Sequence, residues 1–135
     1  TNSLNKTKTF LIKYYYCYMP THTKTYKWDD LIPKKGIYYK KSNDLAFTGT
    51  VRAFHKNGQL FDKQELKNGK CNGSHEVFYD NGQLHVRSFY SKGIRDGLFE
   101  MFFKNGRKKM RCFYKSGKHG KIESWNKSGK LIWEK

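Results

Sequence analysis

The feature that most constrains this chain is a period of about 24 residues, which four separate series of residues repeat. The phrases KNGQL, DNGQL, KNGRK and KSGKL contain Gly58, Gly82, Gly106 and Gly129, which are spaced by 24, 24 and 23 residues. The other series keep the same register: Gly49, Gly73, Gly97 and Gly120; Gly69, Gly93 and Gly117; and Phe54, Phe78, Phe102 and Trp125. A fixed period of this length indicates a repeat architecture, in which each unit needs its neighbours to complete its burial.

Each unit predicts one β-hairpin. An aromatic residue precedes an Asn-Gly or Ser-Gly pair, and a strand and a second glycine-rich turn follow. Asn-Gly is a strong hairpin signal because both residues tolerate positive φ. No stretch has helical periodicity, and no segment between the glycines is long enough for an ordinary helix. The sequence therefore predicts an all-β fold, namely one elongated antiparallel sheet of consecutive hairpins with a divergent N-terminal cap.

A two-residue loop at each Asn-Gly would place two oppositely charged pairs and two apolar pairs directly across from each other. These pairs are Glu76 with Arg87, Glu100 with Arg111, Val77 with Val86, and Met101 with Met110. The charged pairs would share a face with the aromatic series, which we expect to stack as a ladder. A three-residue loop with a bulge would shift one strand by one residue and undo all four pairs.

The chain divides into two predicted segments. Residues 1–33 form an N-terminal arm or cap, with a strand near the tyrosine run at 14–18. Residues 34–135 form the hairpin domain, with a divergent lead-in hairpin at 34–49 and repeats near 49–72, 73–96, 97–119 and 120–135. The apolar run at 10–19 is interrupted by Lys13 and is too short to cross a bilayer. No membrane span or signal peptide is expected in the chain as given, and the compartment stays open.

Residue types that carry catalysis occur without a supporting pattern. The five histidines, at 22, 55, 75, 85 and 119, occupy different repeat positions. The three cysteines lack CxxC spacing, so we expect free thiols, with Cys71 in a turn and Cys112 in a strand. The glycines open no helix, which argues against a phosphate-binding loop. We therefore expect a protein that is not an enzyme, with no cofactor, no metal site and no small-molecule substrate.

The chain is strongly basic, with 28 Lys and Arg against 11 Asp and Glu and a net charge of +17. Two interpretations stay open: general solubility with a lysine-rich codon bias, or a surface for an anionic partner. The candidate anion-binding patch consists of Lys104, Arg107, Lys108, Lys109, Arg111, Lys115, Lys118 and Lys121. Its interleaved aromatics suit RNA, anionic lipid or an acidic protein, and the alternative is a solvated hairpin. KNGRK is the turn that we expect to touch such a partner.

The unit G-x4-[FYW]-x2-[NS]-G resembles the MORN repeat, and it is most similar to the bacterial variant of YwqK-family antitoxin-like proteins. The resemblance covers residues 34–135, because GIYYKKSNDLAFTG is similar to the segment before the first repeat in that family. It implies a curved antiparallel sheet, a binding or scaffolding role and no cofactor, and it assigns no contact residue. We therefore expect a non-catalytic interaction or scaffold module for a protein partner, antitoxin-like or part of a larger assembly. The alternative is binding of membrane phospholipid or RNA through the basic hairpin turns.

Overall fold

A computed structural model describes residues 25–135, and this part of the chain is built almost entirely of antiparallel strands. It contains a short 3-10 helix, Trp28–Asp30, and no α-helix. None of its helical segments could span a membrane. The predicted strand near 14–18 lies outside the described residues.

The strands of the described range are β1 (Leu31–Lys34), β2 (Ile37–Lys40), β3 (Gly49–Phe54), β4 (Leu60–Lys67), β5 (Lys70–Phe78), β6 (Leu84–Ser91), β7 (Ile94–Arg95), β8 (Gly97–Phe102), β9 (Lys108–Lys115), β10 (Lys118–Trp125) and β11 (Leu131–Glu134).

Nine of these strands form one sheet in the order β11-β10-β9-β8-β6-β5-β4-β3, with β7 also paired to β6. Neighbouring strands are antiparallel, so consecutive hairpins lie side by side. This confirms the predicted fold class. The lead-in hairpin differs in one respect, because β1 and β2 form a separate two-stranded sheet. That hairpin begins at Leu31, so the predicted boundary at residue 34 falls inside it.

Two-residue turns close one end of the sheet, which we call the turn end. The central residues of these turns both have positive φ, at Asn68 (50°) and Gly69 (76°) and again at Lys92 (50°) and Gly93 (87°). The pairs at 116–117 and, in the cap hairpin, at 35–36 have the same geometry. Positive φ at both central residues is the type I′ arrangement, which matches the twist of the strands.

The repeated phrase lies at the opposite end, which we call the loop end, and its loops are longer than predicted. In the second hairpin the N–H of Tyr79 donates to the carbonyl of Gln83 (2.8 Å), and the N–H of Gly82 donates to the carbonyl of Tyr79 (3.0 Å). Gly82 has a φ of 82°, whereas Asn81 is not in the left-handed region. The loop is therefore a three-residue loop, and the expectation of two residues with positive φ at these positions is wrong.

The four predicted cross-strand pairs are nevertheless present. Glu76 faces Arg87 and Val77 faces Val86, and the third hairpin repeats both pairings with Glu100, Arg111, Met101 and Met110. The register shifts between Val77 and Phe78, which leaves His85 as an extra residue in β6. This bulge moves the strand back by the one residue that the longer loop had added. The other hairpins shift at the equivalent place.

The main hydrophobic cluster joins the cap to the first repeat. Leu31, Phe47, Val51 and Leu66 are its buried members. Tyr26 packs edge-on against Phe47, with ring centroids 4.8 Å apart. The backbone of Tyr26 also forms a parallel bridge with Val51, at the outer strand of the sheet. Residues of the predicted cap thus cover one end of the repeat array, as repeat proteins require.

A second buried group lies at the centre of the sheet, around Phe99. The guanidinium carbon of Arg95 lies 5.0 Å from the centroid of the Phe99 ring and within 6 Å of the Tyr90 and Tyr114 rings. Arg95 Nε donates to the Tyr90 hydroxyl (3.2 Å), and this bond raises the pKa of the guanidinium. A cation held against three aromatic faces helps to cover Phe99 without a long apolar side chain.

Candidate functional site

One face of the sheet carries a row of charged side chains that face each other from strand to strand, which we call the charge row. Cross-strand pairing places its members directly beside each other on seven strands: Arg52, Lys63, Glu76, Arg87, Glu100, Arg111 and Glu123. Basic and acidic residues alternate from Lys63 onwards, so most charges have an opposite charge on a neighbouring strand.

The ion pairs of this face are short and partly shielded from water. Glu76 lies between Lys63 (3.6 Å) and Arg87 (3.2 Å). Arg111 pairs with Glu123 (2.7 Å) rather than with Glu100, although Glu100 faces it in register. Glu100 is only 7% exposed and instead pairs with Lys108, at 3.0 Å. The carboxylates of these pairs are at most 20% exposed, so the pairs are screened less than fully exposed ones and help to fix the strand register.

Two exposed phenylalanines lie beside the charge row. Phe89 and Phe113 follow Arg87 and Arg111 by two residues along their strands, which places them on the same face. Phe89 is 37% exposed and Phe113 is 62% exposed. The face therefore combines neutralised charge with uncovered aromatic surface.

The residues of the predicted aromatic ladder end strands β3, β5, β8 and β10 near the loop end. Among residues 25–135, no ring contact joins two members of this series, and Phe54 is exposed. Trp125 instead lies under the Nζ of Lys108 and the guanidinium of Arg111, at 5.8 and 5.7 Å from the ring centroid. The stacking ladder stays a prediction.

Asparagine side chains join each loop of the loop end to the next. Asn57, Asn81 and Asn105 donate from Nδ2 to the carbonyls of residues 80, 104 and 127, at 2.8, 3.1 and 3.3 Å. Each Oδ1 also accepts the N–H two residues further along its own loop. The asparagine therefore recurs because it bonds within its loop and to its neighbour. The recurrence of asparagine at a spacing of 24 residues is the signal in the sequence for this contact, which the prediction of separate hairpin turns did not include.

The candidate anion-binding patch does not form one cluster. Strand β9 places Lys108 near the loop end and Lys115 near the turn end, about 24 Å apart for an extended strand. Lys104, Lys108, Arg111, Lys115 and Lys121 each have an acidic partner within 4 Å. The pKa of Lys121 is raised by its contact with Glu134, and the pKa of Asp80 is lowered by Lys104.

Three members of the patch lack such an acidic partner. Arg107 donates from Nη1 to the carbonyls of Lys127 and Ser128 in the next loop, so the exceptional residue of KNGRK contacts its own chain. Lys109 Nζ lies 5.7 Å from the centroid of the Phe103 ring. Lys118 is exposed at the turn end. Whether these residues bind an anion stays a prediction.

Lysines are concentrated at the turn end. The sequence pattern did not distinguish this group from the other lysines of the chain. Lys67 faces Lys70 directly across the β4–β5 hairpin, and Lys115 faces Lys118 across the β9–β10 hairpin. Lys92 occupies the intervening turn. Asp96 lies 3.9 Å from Lys115. Like charges directly opposite each other are destabilising, so the fold alone does not account for these two pairs.

Groups that support catalysis are scattered in the described part of the chain. Residues 25–135 contain no group of three His, Cys, Asp or Glu side chains that could hold a metal ion. His75 Nε2 lies 2.7 Å from Asp62 Oδ2, and Asp62 Oδ1 accepts a hydrogen bond from Trp28 Nε1 (3.2 Å), a group that supplies neither acid nor base. Cys71 and Cys112 are free thiols, and burial raises the pKa of both, which disfavours the reactive thiolate. Cys112 lies in β9 as predicted, but Cys71 lies in strand β5 rather than in a turn.

Comparison with known proteins identifies two of the repeats. Residues 47–68 and 72–92 match the MORN repeat variant family, and these segments contain the first and second hairpins, β3–β4 and β5–β6. No curated protein and no solved structure matches the chain. Two adjacent segments of the chain are therefore similar to the MORN repeat variant.

Proposed function

We propose that this protein is a non-catalytic interaction module and that the face with the charge row binds a protein partner. The observation that carries the proposal is the exposure of Phe89 and Phe113 beside charges that are already paired. Aromatic side chains are enriched in protein interfaces, and unpaired charges are costly to bury there. Paired charges and open aromatics suit a protein surface better than a polyanion. The similarity to MORN repeats supports the proposal, since such repeats are commonly protein- or membrane-binding modules.

The same experiment tests two forms of this function. In an antitoxin-like protein the partner is a toxic protein, whereas in a scaffold the partner is a component of a larger assembly. The proposed module itself needs no cofactor and transforms no substrate in either form.

Photo-crosslinking in the native cell tests the proposal. A photoreactive phenylalanine analogue replaces Phe113, and the matched control carries it at Lys41, an exposed residue directly after strand β2 of the lead-in hairpin. We expect specific protein adducts from position 113 that are absent from position 41, and mass spectrometry identifies them. Identical adducts from both positions, or none from position 113, would contradict the proposal.

A second candidate function is binding of an anionic surface, and the turn-end lysines favour it. The facing pairs Lys67–Lys70 and Lys115–Lys118 concentrate positive charge on two turns of the same end, and Lys92 lies on the turn between them. Such a row suits phosphate groups of membrane phospholipid or RNA. Binding to anionic vesicles and to generic RNA should then weaken steeply with salt and should be reduced by glutamate at Lys67 and Lys118. Absence of binding to either target at low salt would eliminate this candidate.

A further inference from the structure

A pocket of about 460 Å³ opens near the loop end of the third and fourth hairpins. Met101, Met110, Phe103 and Ile132 supply apolar walls, and Ser124 lies among them. In register, Met101 faces Met110, and Met110 faces Ser124 on the next strand. The pocket therefore spans several neighbouring strands, β8 to β11.

The pocket has a cause in the repeat sequence. One repeat earlier, Val86 faces Met101 on the neighbouring strand, whereas Met110 faces Ser124. Serine at this position replaces a long apolar side chain with a short one, which leaves space on the surface of β10.

A second difference between the repeats leaves space in the same region. In the second hairpin, Tyr79 stacks on His85 at 4.2 Å, and its hydroxyl donates to the carbonyl of Phe102 at 2.9 Å. The equivalent residue of the third hairpin is Phe103, which has no hydroxyl to bond to the following strand. Lys109 occupies the position of His85, and its ammonium lies over the Phe103 ring at 5.7 Å. An aliphatic stem and a cation thus replace a stacked ring at the wall of the pocket.

The lining chemistry defines what this pocket can receive. Methionine side chains adapt to the shape of an apolar ligand, and the two methionines, Phe103 and Ile132 offer no strong hydrogen-bonding group. Lys109 and Lys127 supply two cations at the exposed rim, and no lining residue is acidic. A ligand with an apolar group and negative charge beside it matches both features.

The apolar surface continues beyond the pocket along β11. Leu131 and Trp133 are exposed on either side of Ile132, which is 61% exposed. A small molecule that filled the pocket would leave these side chains uncovered, whereas an extended peptide would cover them. Hydrophobic surface of this kind on a folded domain marks an interaction site.

We infer that this pocket receives a large apolar side chain from an acidic peptide segment of the protein partner. The inference rests on the proposed function, because it takes the partner to be a protein, and it adds a second site with its own ligand chemistry. Met101 and Met110 alternate with Glu100 and Arg111 of the charge row, so the pocket lies on the opposite face and the partner must reach it around the edge strand β11. The apolar anchor enters between Met101 and Met110, and carboxylates that flank it meet Lys109 and Lys127. Affinity comes from burial of the anchor, and the charges contribute to orientation and association rate.

The test uses a fluorescein-labelled peptide with a central Leu-Phe pair flanked by glutamates. Two matched peptides carry either lysine for every glutamate or Ser-Ser for Leu-Phe. Fluorescence anisotropy should show binding of the first peptide to the intact chain, with affinity at least about tenfold above that of each control. In protein labelled at the methionine methyl groups, its addition should shift the NMR signals of Met101 and Met110. This second readout uses the unaltered protein, so it does not depend on whether a variant folds.

Variants then locate the site. Ser124→Met restores the side chain of the preceding repeat and should weaken peptide binding at least about tenfold. Ser91→Met makes the same change at an exposed position outside the pocket and should leave binding unchanged. Lys127→Glu should also weaken binding, whereas Lys41→Glu after strand β2 should not. Circular dichroism confirms that each variant remains folded.

Several outcomes would overturn the inference. These are no binding of the Leu-Phe acidic peptide, equal binding of either control peptide, unchanged Met101 and Met110 signals, or full binding by Ser124→Met. The crosslinking experiment separates this failure from that of the proposed function. If a photoreactive analogue at Phe103, a pocket residue, yields no protein adducts although position 113 does, the pocket is not part of the interface although the module binds protein. If position 113 of the otherwise unaltered chain yields no protein adducts, the proposed function fails whatever the peptide does.

Discussion

Two glycines with the same backbone conformation should respond very differently to alanine. Gly36 and Gly69 each follow the first residue of a two-residue turn, and each has a φ of 76°. A Cβ at Gly36 would meet no atom within 4 Å. A Cβ at Gly69 would clash with Ile37 Cγ2 and would lie 2.7 Å from the carbonyl oxygen of Tyr38. Gly69→Ala should therefore destabilise the protein far more than Gly36→Ala.

The magnitude follows from two separate contributions. Alanine in the left-handed region costs about 1 kcal/mol at either position, and this contribution cancels in the comparison. At Gly69 the backbone of strand β2 must also move away from the turn. That movement would break the bond from the Tyr38 N–H to the Gly69 carbonyl (2.8 Å) and weaken the bond from the Gly69 N–H to the Phe47 carbonyl (2.7 Å). At about 1 kcal/mol for each bond, we expect a loss near 3 kcal/mol for Gly69→Ala and near 1 kcal/mol for Gly36→Ala.

Urea unfolding measures both losses. Trp28 packs against Tyr38 at 5.1 Å, so in a background with Trp125→Phe and Trp133→Phe its fluorescence reports the region around the lead-in hairpin, and far-UV circular dichroism reports the whole sheet. Both signals are needed because repeat arrays do not always unfold in one cooperative step. Agreement of the two alanine variants to within about 0.5 kcal/mol would refute the reasoning, because only the contact with strand β2 distinguishes them.

Far-UV circular dichroism of the unaltered protein should show a β-type spectrum, and a helix content near the ~30% of an average domain would contradict the hairpin array. Phe102→Ala should lower the free energy of unfolding by about 2 kcal/mol, far more than Lys104→Ala, which removes an exposed ion pair. Equal, small losses would refute the aromatic ladder. Burial and Lys109 hold the pKa of His85 below its ordinary value of 6.5. The unfolded chain therefore takes up the proton first, so this contribution to stability is complete above pH 6.5 and is lost as the pH falls towards the folded-state pKa. His85→Gln should flatten the acid side of the stability curve, His119→Gln should not, and an unchanged curve in His85→Gln would exclude His85 as the cause.

The period of the sequence predicted the hairpins and their order because both depend on local signals. Glycine at fixed spacing permits the turns, and alternating side chains determine which residues share a face. The same alternation predicted that Glu76 faces Arg87, and the structure confirms it. The loop geometry was predicted wrongly because Asn-Gly is compatible with more than one loop. The loop end is stabilised by asparagine bonds to the next hairpin, such as Asn57 to the carbonyl of Asp80.

The role of the charged side chains was harder to predict from sequence, because it also depends on contacts between neighbouring hairpins. Lys104 appeared available for an anionic partner, but its ammonium lies 2.7 Å from Asp80 of the preceding loop. Arg107 similarly donates to carbonyls of the following loop. Composition counts the charges of a chain, whereas strand register determines which of them are neutralised. The lysines that remain concentrated at the turn end emerge only after that pairing is known.

Sequence alone thus determined that this chain is an array of β-hairpins, because turn residues and side-chain alternation act within a few residues. Tertiary structure decided what each repeated residue contacts. Gly36 and Gly69 are both glycines of two-residue turns with the same φ, yet one faces open space and the other lies against Tyr38. Ser124 is one residue of a repeat, yet its small size opens a pocket because Met110 lies beside it. These differences arise because close packing depends on which strands become neighbours, and no single repeat contains that information.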